Sequence, residues 1–425
     1  STRIGRIDNR FMPRQAIHLQ HISIPHKVVY CSTFKEGIYM KNTILVTTPR
    51  GLSPYLRTEI ESLGYPIHWA GPSGVETEGD FTDAMEMNLF LRTAHHVLYR
   101  VGKFRCNNPD ELYKHINHIP WETMIPSNEY LSVVSNVLHP SIRDTRYANL
   151  KSKDAIVDRI LSRKGRRPDS GPEKTGAVVS IFWKDETCSV YIDTSGEPLS
   201  KRGYRKIPLH APMQETLAAG VIKASDWQGN GNFINPMCGS GTIAIEAALI
   251  GLKMAPGILR KNYGFFHTLL FNNESWKVLK QKASFAQEKQ IKGKIIATDN
   301  SSEAIEAARK NARAAGVESH IEFKVCDFSE TPIPPEGGVV VINPEYGIRL
   351  GDEKKLEETY RNIGNFLKRR CQGYKGYVFT GNTMLAGKTG LKSKRKIPFT
   401  SGKIDCRLYE YELYAGSKEN RNSIT

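Results

Sequence analysis

Residues 339–347 read Val-Val-Val-Ile-Asn-Pro-Glu-Tyr-Gly, an apolar run that stops at a polar turn. Four consecutive β-branched residues predict a strand buried on both faces, because central parallel strands lose the alternation of inward and outward side chains. Pro344 cannot continue the hydrogen bonding of a strand, so we expect the strand to end at Asn343. Open α/β sheets bind ligands beyond the carboxyl ends of their strands. The stretch therefore predicts a parallel α/β sheet with a ligand site at Asn343.

Asn343, Pro344 and Tyr346 suit a planar nucleobase that carries an amino group. The amide oxygen of Asn343 and the carbonyl of Pro344 can accept hydrogen bonds from the amine, and the ring of Tyr346 can stack on the base. Taken alone, these residues favour an ordinary Asn-Pro turn at the end of a strand over a nucleobase site. The ends of the other predicted strands distinguish the two interpretations.

The strand predicted at residues 233–234 runs into Asn-Pro-Met-Cys-Gly-Ser-Gly-Thr at 235–242 and then into a helix over 243–252. Two glycines between a strand and a helix let the backbone pass close to a ligand, and the helix N-terminus supplies hydrogen-bond donors. A lone Gly-x-Gly is weak support, since many α/β turns carry one. The glycine turn supports a ligand site only together with the polar residues at the ends of the neighbouring strands.

Two more predicted strands also end in acids. Residues 294–298 are followed by Asp299-Asn300, where a carboxylate can accept hydrogen bonds from ribose hydroxyls, although Asp299 can also serve as a helix cap. Residues 321–325 are followed by Cys326-Asp327-Phe328, where an acid and a ring can bind adenine. Because parallel strands present their carboxyl ends at one edge, we expect these polar groups to form one site.

Charge and cysteine content narrow the class of protein. The 425 residues include 60 Lys and Arg against 44 Asp and Glu, a net charge of +16, which indicates a polyanion as partner. The seven cysteines form no Cys-x-x-Cys pair, so neither a disulfide framework nor a zinc site is predicted, and we expect no bound metal and a cytoplasmic location. No apolar run reaches the roughly 18 residues of a membrane span.

The length predicts more than one domain. We expect an extension over 1–40 that is disordered because of its polar composition, an α+β unit over 41–105, a second small unit over 106–205, and alternating strands and helices over 206–425. Met40 is hypothesised to be the true start. Ser53 and Pro54 are predicted to begin a helix, with Ser53 as its cap. A basic loop (Lys388, Lys392, Lys394, Arg395 and Lys396) is expected before a last strand at 407–414.

Basic residues cluster on the helix predicted at 151–164 and in the segment 193–205. One-sided positive charge beside an aromatic residue suits a nucleic acid, although a solvated helix face is an alternative. The predicted contacts are Lys151, Lys153, Arg159, Arg163, Lys164, Arg166, Arg167, Lys201, Arg202 and Arg205.

These motifs together resemble the THUMP-domain, S-adenosylmethionine-dependent guanine-N2 RNA methyltransferases, especially the bacterial 23S ribosomal RNA branch. The resemblance covers nearly all of residues 40–414. Its carriers are Asp193-Thr-Ser-Gly-Glu, Lys201-Arg-Gly-Tyr-Arg, Glu215-Thr-Leu-Ala-Ala, the 235–242 turn with Glu246-Ala-Ala, Ala255-Pro-Gly, Asn343-Pro-Glu-Tyr-Gly with Arg349-Leu-Gly, and Cys406-Arg-Leu. It implies a ferredoxin-like and THUMP module that binds RNA, followed by a Rossmann-type class I methyltransferase domain whose last strand is antiparallel.

The resemblance also implies roles for particular residues. S-adenosylmethionine is expected to contact Asn235, Pro236, Cys238, Gly239, Ser240, Gly241, Glu246, Asp299, Asn300, Asp327 and Phe328. The target guanine is expected at Asn343, Pro344 and Tyr346. Two positions depart from the family pattern, since Asn235 replaces an Asp and Glu345 replaces a second Pro. Three other interpretations stay open: a tRNA guanine-N2 enzyme, a DNA adenine-N6 enzyme, and an RNA-binding or ribosome-assembly factor with weak or no catalysis.

Overall fold

The computed structural model of the protein describes residues 29–30, 41–140, 144–207, 209, 212–347 and 353–414. The expected extension and the hypothesis about Met40 therefore lie outside the described residues, apart from the short strand β1 (Val29–Tyr30). Every helix in the described part of the chain is too short or too polar to cross a bilayer.

The first half of the chain forms one mixed sheet with helices packed on it. After β1 its strands are β2 (Asn42–Thr47), β3 (Trp69–Gly71), β4 (Gly74–Gly79), β5 (His96–Arg105), β6 (Tyr130–Leu138), β7 (Asp169–Ser170), β8 (Ala177–Lys184) and β9 (Thr187–Asp193). Its helices are α1 (Ser53–Ser62), α2 (Phe81–Phe90), α3 (Pro109–His118) and α4 (Thr145–Lys164). The strand order is β3-β4-β2-β5-β9-β8-β6-β7, with β1 also paired to β5. The two predicted N-terminal units thus share a sheet, because β5 pairs with β9.

The start of α1 differs from the prediction. Pro54 lies in the first turn as expected, but Ser53 is already helical, Leu52 is the N-cap residue, and no side chain caps the helix. The prediction for Ser53 is wrong because packing sets this end: the fully buried Leu52 side chain lies against Gly220 of the second half, where an added Cβ would come within 2.1 Å of Leu52 Cδ2. Nothing in the sequence around Leu52 indicates that contact.

The second half forms an α/β unit. Its strands are β10 (Asn232–Pro236), β11 (Ile295–Asp299), β12 (Glu322–Val325), β13 (Gly338–Ile342), β14 (Tyr374–Thr380), β15 (Arg395–Ser401) and β16 (Ile404–Glu412). Its helices are α5 (Glu215–Ala224), α6 (Thr242–Gly251), α7 (Asn273–Ala286), α8 (Ser302–Ala314), α9 (Glu353–Arg370) and α10 (Thr383–Lys388). The order is β12-β11-β10-β13-β14-β16-β15, and β16 runs antiparallel to both neighbours while β10 to β14 are parallel. The predicted Rossmann-type fold with an antiparallel last strand is confirmed.

The predicted basic loop before the last strand is wrong in part. Lys388 ends α10, and Arg395 and Lys396 begin the edge strand β15. Arg395 suits a strand because Glu410 of β16 and Asp226, 3.2 Å away, pair with its guanidinium. Pro398 is tolerated because an edge strand leaves one side without ladder hydrogen bonds.

The two halves are joined by a shared apolar core. Tyr263, Phe265 and Trp276 belong by sequence to the second half, yet they pack in the same buried cluster as the residues of β2, β5, β8 and β9. Trp276 lies on α7, a helix that sequence patterning did not predict, and its ring centroid is 5.1 Å from that of Phe265. A buried core of this kind is expected to hold the two halves in a fixed relation.

Candidate functional site

The carboxyl ends of β10, β11, β12 and β13 meet through direct hydrogen bonds. The backbone N–H of Cys238, just after β10, donates to the carbonyl of Thr298 in β11 at 3.0 Å. The N–H of Cys326, just after β12, donates to the carbonyl of Asp299 at 3.0 Å. On the other side of β10, Asn235 Nδ2 donates to the carbonyl of Val341 in β13 at 2.9 Å. The four strand ends singled out by sequence therefore form one edge.

The turn after β10 is open toward solvent at one glycine and tightly packed at the other. Gly239 has φ +53° and no atom within 4 Å of an added Cβ, and its N–H donates to Asp299 Oδ2 at 2.9 Å. Gly241 has φ +82°, and an added Cβ would lie 2.8 Å from the Cβ of Ala308 on α8. The first glycine leaves room for a ligand against the backbone, and the second brings α6 close to α8.

Acidic and polar groups follow the neighbouring strands. Asp299 is half-buried, and its Oδ1 accepts a hydrogen bond from the N–H of Ser301. The alternative that Asp299 caps a helix is wrong, because the N-cap of α8 is Ser301, whose side chain accepts from the N–H of Ala304. A carboxylate has about four lone-pair sites, so both oxygens keep acceptor capacity. Asp327 and Asn300 are exposed, and Phe328 is half-buried against Phe366 of α9.

The motif after β13 contains an unpaired acceptor. Asn343 Oδ1 is buried and has no hydrogen-bond partner among the described residues, and Pro344 beside it is buried. Leaving such an acceptor unpaired costs about 1–3 kcal/mol, so its presence at this edge calls for an explanation. Asn235 Oδ1 is buried and unpaired in the same way, within the described ranges.

Tyr346 is held against the end of β14. Gly381 leaves space for it, since an added Cβ would lie 3.1 Å from two ring carbons of Tyr346. The Cys406 thiol is 3.8 Å from the Tyr346 hydroxyl, and burial, followed by the proximity of Cys406, raises the pKa of the phenol to about 12. The hydroxyl is thus neutral at neutral pH, and Tyr346 offers a ring rather than a base.

The side chain of Glu345 is exposed, and its backbone carbonyl accepts a hydrogen bond from the hydroxyl of Tyr360 on α9 at 3.4 Å. The residue that departs from the family pattern at position 345 is therefore solvent-exposed.

A segment just before residue 208 covers the turn after β10, and sequence reasoning did not predict it. Arg205 donates to Ser240 Oγ at 3.4 Å, to the carbonyl of Met213 at 2.8 Å and to Glu215 Oε1 at 3.1 Å. Asn311 of α8 donates to the carbonyls of Ser240 and Ile207, and its Oδ1 accepts from the N–H groups of Lys206 and Ile207. The available signal was a lone Asn on the otherwise apolar face of α8.

Two predicted site residues lie away from the cleft. The side chain of Glu246 is fully buried, its Oε1 accepts a hydrogen bond from the Tyr204 hydroxyl at 3.1 Å, and the Arg202 guanidinium is 3.5 Å away. Burial raises the pKa of Glu246, while Arg202 and Arg92 oppose that shift. The expectations that Glu246 contacts the cofactor and that Arg202 contacts nucleic acid are wrong, because the two side chains form part of a buried ion cluster at the junction of the halves.

Of the other basic residues predicted to contact nucleic acid, some are paired with acidic or polar groups of the protein and some are exposed at the surface. Arg159 makes two hydrogen bonds to Glu122, at 2.8 and 3.0 Å, and Arg205 is directed inward as described, so neither is available as a surface cation. The exposed members at the end of α4 and just beyond it are Arg163, Lys164, Arg166 and Arg167. Lys151, Lys153 and Lys201 pair with Asp110, Asp154 and Glu197 at or near the surface. The surface that suits phosphates is thus the end of α4.

The cysteines at this edge are not suited to nucleophilic attack. Burial raises the pKa of the thiols of Cys238 and Cys326, so both are protonated at neutral pH. In the described ranges, no group of three or more His, Cys, Asp or Glu side chains is arranged to hold a metal ion.

Three family models match successive parts of the chain. They are described as an RlmL ferredoxin-like domain over residues 43–98, a THUMP domain over 106–193, and an RMKL-like methyltransferase domain over 202–410. A curated relative, the ribosomal RNA large subunit methyltransferase K/L of Psychromonas ingrahamii, is 36% identical over 377 residues, which cover 87% of this chain and 50% of the relative. The chain spans about half the length of the curated relatives it matches.

Solved structures share the whole arrangement. The protein SMU.472, crystallised with SAH, has a TM-score of 0.79 and 27% identity, with 89% of this chain and 99% of that chain covered. A protein from Listeria monocytogenes described as a predicted N6-adenine-specific DNA methylase has a TM-score of 0.78 and 30% identity, with 88% and 97% covered.

Proposed function

Because the chain belongs to the RMKL-like methyltransferases that carry an RlmL ferredoxin-like domain and a THUMP domain, we propose that it methylates the exocyclic N2 amine of a guanine in RNA. We propose large-subunit ribosomal RNA as the substrate and S-adenosylmethionine as the methyl donor. The observation that carries the proposal is the buried Oδ1 of Asn343, which has no hydrogen-bond partner among the described residues, at the edge where four strand ends meet. An amine with two hydrogens is the partner that this acceptor lacks.

The turn after β10 and the acids beside it fit the methyl donor. The space against Gly239 admits a ligand close to the backbone, and Asp299 and Asp327 present carboxylates at the ends of adjacent strands. Asp299 is expected to accept hydrogen bonds from ribose hydroxyls, and Asp327 with Phe328 to contact adenine. Pro236, Cys238, Ser240, Gly241 and Asn300 are proposed to complete the binding site of the methyl donor. When bound, the donor supplies an electrophilic methyl group.

Asn343, Pro344 and Tyr346 are proposed to hold the guanine. The Asn343 amide oxygen and the Pro344 carbonyl each accept one hydrogen of the amine, which aims the nitrogen lone pair at the methyl group, while the Tyr346 ring stacks on the base. Because Asn343 Oδ1 is buried, the incoming base must displace the atoms that cover it. Positioning of this kind supplies much of the acceleration in a transfer that needs no covalent enzyme intermediate.

Methyl transfer with purified chain tests the proposal. We expect labelled methyl groups from S-adenosylmethionine to enter unmodified 23S ribosomal RNA, and nucleoside analysis to find them as N2-methylguanosine. Transfer to tRNA or to adenine in DNA under the same conditions, in place of ribosomal RNA, would contradict the choice of substrate. Cofactor and RNA binding without any transfer would instead indicate an RNA-binding factor.

A further inference from the structure

Thr298 connects the segments that follow the two strands beside β11. It is fully buried near the carboxyl end of β11, and its backbone carbonyl accepts a hydrogen bond at 3.0 Å from the N–H of Cys238, in the turn after β10. Its hydroxyl lies 2.7 Å from the hydroxyl of Thr331, which is also fully buried and lies in the segment after β12. One residue thus contacts the turn after β10 through its backbone and the segment after β12 through its side chain.

Thr331 ends the helical turn that carries the groups expected to contact adenine. Asp327 is the N-cap of this single turn, Phe328–Glu330, and the N–H of Thr331 donates to the carbonyl of Phe328 at 3.2 Å. Asp327 is exposed, so its carboxylate retains acceptor capacity for a ligand. Because the turn is only three residues long, the position of Thr331 affects where the Asp327 carboxylate and the Phe328 ring lie.

The helical turn is attached to β11 at both ends. Before it, the N–H of Cys326 donates to the carbonyl of Asp299 at 3.0 Å. After it, the hydroxyl of Thr331 pairs with that of Thr298. The first contact is made by the backbone and is available to most residue types, whereas the second depends on two particular side chains. The hydroxyl pair is therefore the part of this attachment that the sequence specifies.

We propose that the pair Thr298–Thr331 determines how tightly and how selectively the chain binds the adenine of its methyl donor. Because it takes S-adenosylmethionine as the ligand at this edge, the proposal rests on the proposed function. Thr298 is a positioning residue, since it acts through Thr331 on Asp327 and Phe328. A carboxylate recognises adenine by accepting a hydrogen bond from its exocyclic amine, and the strength of that bond depends on distance and angle. A hydroxyl pair that is shielded from water holds such geometry well, because water does not compete for it.

The test measures, by calorimetry on the whole chain, the binding of S-adenosylhomocysteine and of its hypoxanthine analogue, in which an oxygen replaces the exocyclic amine. We expect the wild-type chain to prefer the adenine form, because the analogue has no amine to donate to Asp327. Thr298→Val keeps nearly the same side-chain shape and removes the hydroxyl. It should raise the Kd for the adenine ligand by about tenfold and the Kd for the analogue by less than about threefold. Thr298→Ser retains the hydroxyl and should restore most of the preference.

Thr331→Val removes the other hydroxyl and should have the same effect, which keeps the test decisive if Thr298→Val does not fold. The double variant should bind the adenine ligand no more weakly than either single variant, because all three lack the same hydrogen bond.

Thr77→Val is the matched control. Thr77 is fully buried on β4 in the first half, and its hydroxyl donates to the carbonyl of Pro66 at 2.6 Å, so this change also removes one buried hydroxyl hydrogen bond. Its affinities for both ligands should equal those of the wild type. Equal losses of affinity for the two ligands, or wild-type affinities in both Thr298→Val and Thr331→Val, would overturn the role of the pair and leave the proposed methyl transfer standing. A wild-type chain that does not bind S-adenosylhomocysteine would overturn the proposed function, and this role with it.

Discussion

Asn235 and Asn343 occupy comparable places at or just beyond the ends of two neighbouring strands, and each keeps a buried amide oxygen without a partner in the described residues. The two side chains make different contacts within the protein. The Nδ2 of Asn235 donates to the carbonyl of Val341, so this residue ties β10 to β13 directly below the cleft. A carboxylate placed there without protonation would set an oxygen against that carbonyl, which explains why an amide suits this chain. Asn343 is therefore the better candidate for direct contact with substrate.

Replacing Asn343 with Ala is expected to lower kcat for methyl transfer at least a hundredfold, because the amine loses the acceptor that aims it. S-adenosylmethionine affinity, measured by calorimetry, should change less than about threefold. The control is Glu345→Gln two residues away, because the Glu345 side chain is exposed and its loss of charge should leave the rate unchanged. A slow Glu345→Gln enzyme would contradict the assignment of roles within the motif.

Glu246→Gln is expected to destabilise the fold rather than the cofactor site. The neutral amide removes the buried charge that faces Arg202 and that Arg92 shares with Glu59, and removing one partner of a buried ion cluster typically costs about 3–5 kcal/mol. Denaturant unfolding should show the loss, and S-adenosylmethionine affinity of the folded fraction should stay near the wild-type value. Weaker cofactor binding with unchanged stability would restore the rejected role.

At the scale of elements, the segment at residues 205–207 is clamped between α5, α8 and the turn after β10. Arg205 reaches Ser240 and Glu215, and Asn311 joins the segment to the carbonyl of Ser240. The segment at residues 205–207, which follows the THUMP half, thus stabilises the turn that is expected to hold the methyl donor. Arg205 acts through Ser240 and is a positioning residue.

Arg205→Ala is expected to weaken S-adenosylmethionine binding by about tenfold, because the turn loses its brace while the groups that face the ligand stay in place. Calorimetry measures the change, and the RNA Kd should be unaffected. Lys206→Ala is the control, since its exposed side chain is not part of the brace. A loss of RNA affinity with normal cofactor binding would return Arg205 to its sequence-based role as a nucleic-acid contact.

At the scale of the whole molecule, the two halves share buried surface and buried charge. Trp276 of α7 packs in the core of the first half, and Arg92 from the first half donates to the carbonyls of Leu249 and Met254 in the second. Such a junction predicts one cooperative unfolding transition and a fixed path from the RNA-binding surface to the cleft.

Trp276→Ala should cost about 3–5 kcal/mol and separate the thermal transition into two, because a large buried side chain at the junction is removed. Differential scanning calorimetry provides the measurement. Phe285→Ala on the same helix is the control, since that ring is 90% exposed and its loss should leave the single transition intact. One transition in both variants would contradict the shared-core interpretation.

Acid should destabilise the protein through His95. Burial, followed by the nearby His96, lowers its pKa to about 4 from an unfolded value of 6.5. The unfolded chain therefore binds a proton between pH 6.5 and 4 that the folded chain does not, so the free energy of unfolding falls as the pH decreases, by up to about 1.4 kcal/mol per unit. The His95→Gln variant should show a shallower decline in urea titrations across this window, and an equal slope would refute the assignment.

The sequence by itself determined the α/β alternation of the second half, the order of its polar strand ends and the candidate base motif, because these depend on local periodicity and on turn residues such as Pro344 and Gly239. It also located the basic end of α4. The sequence did not predict helix α7, the N-cap of α1 or strand β15. Each of these features depends on contacts that are distant in sequence or has a charged composition that hides its pattern of apolar residues.

Only the tertiary structure decided what the charged side chains do. The sequence predicted that Arg202 contacts nucleic acid and that Glu246 contacts the cofactor, but in the structure the two side chains are buried together. Arg205 was predicted to contact phosphate, and it instead donates a hydrogen bond to Ser240 in the turn after β10. Charge and spacing are properties of the chain, whereas burial depends on which segments meet, and the free energy of a charged group is determined by its surroundings more than by its neighbours in sequence.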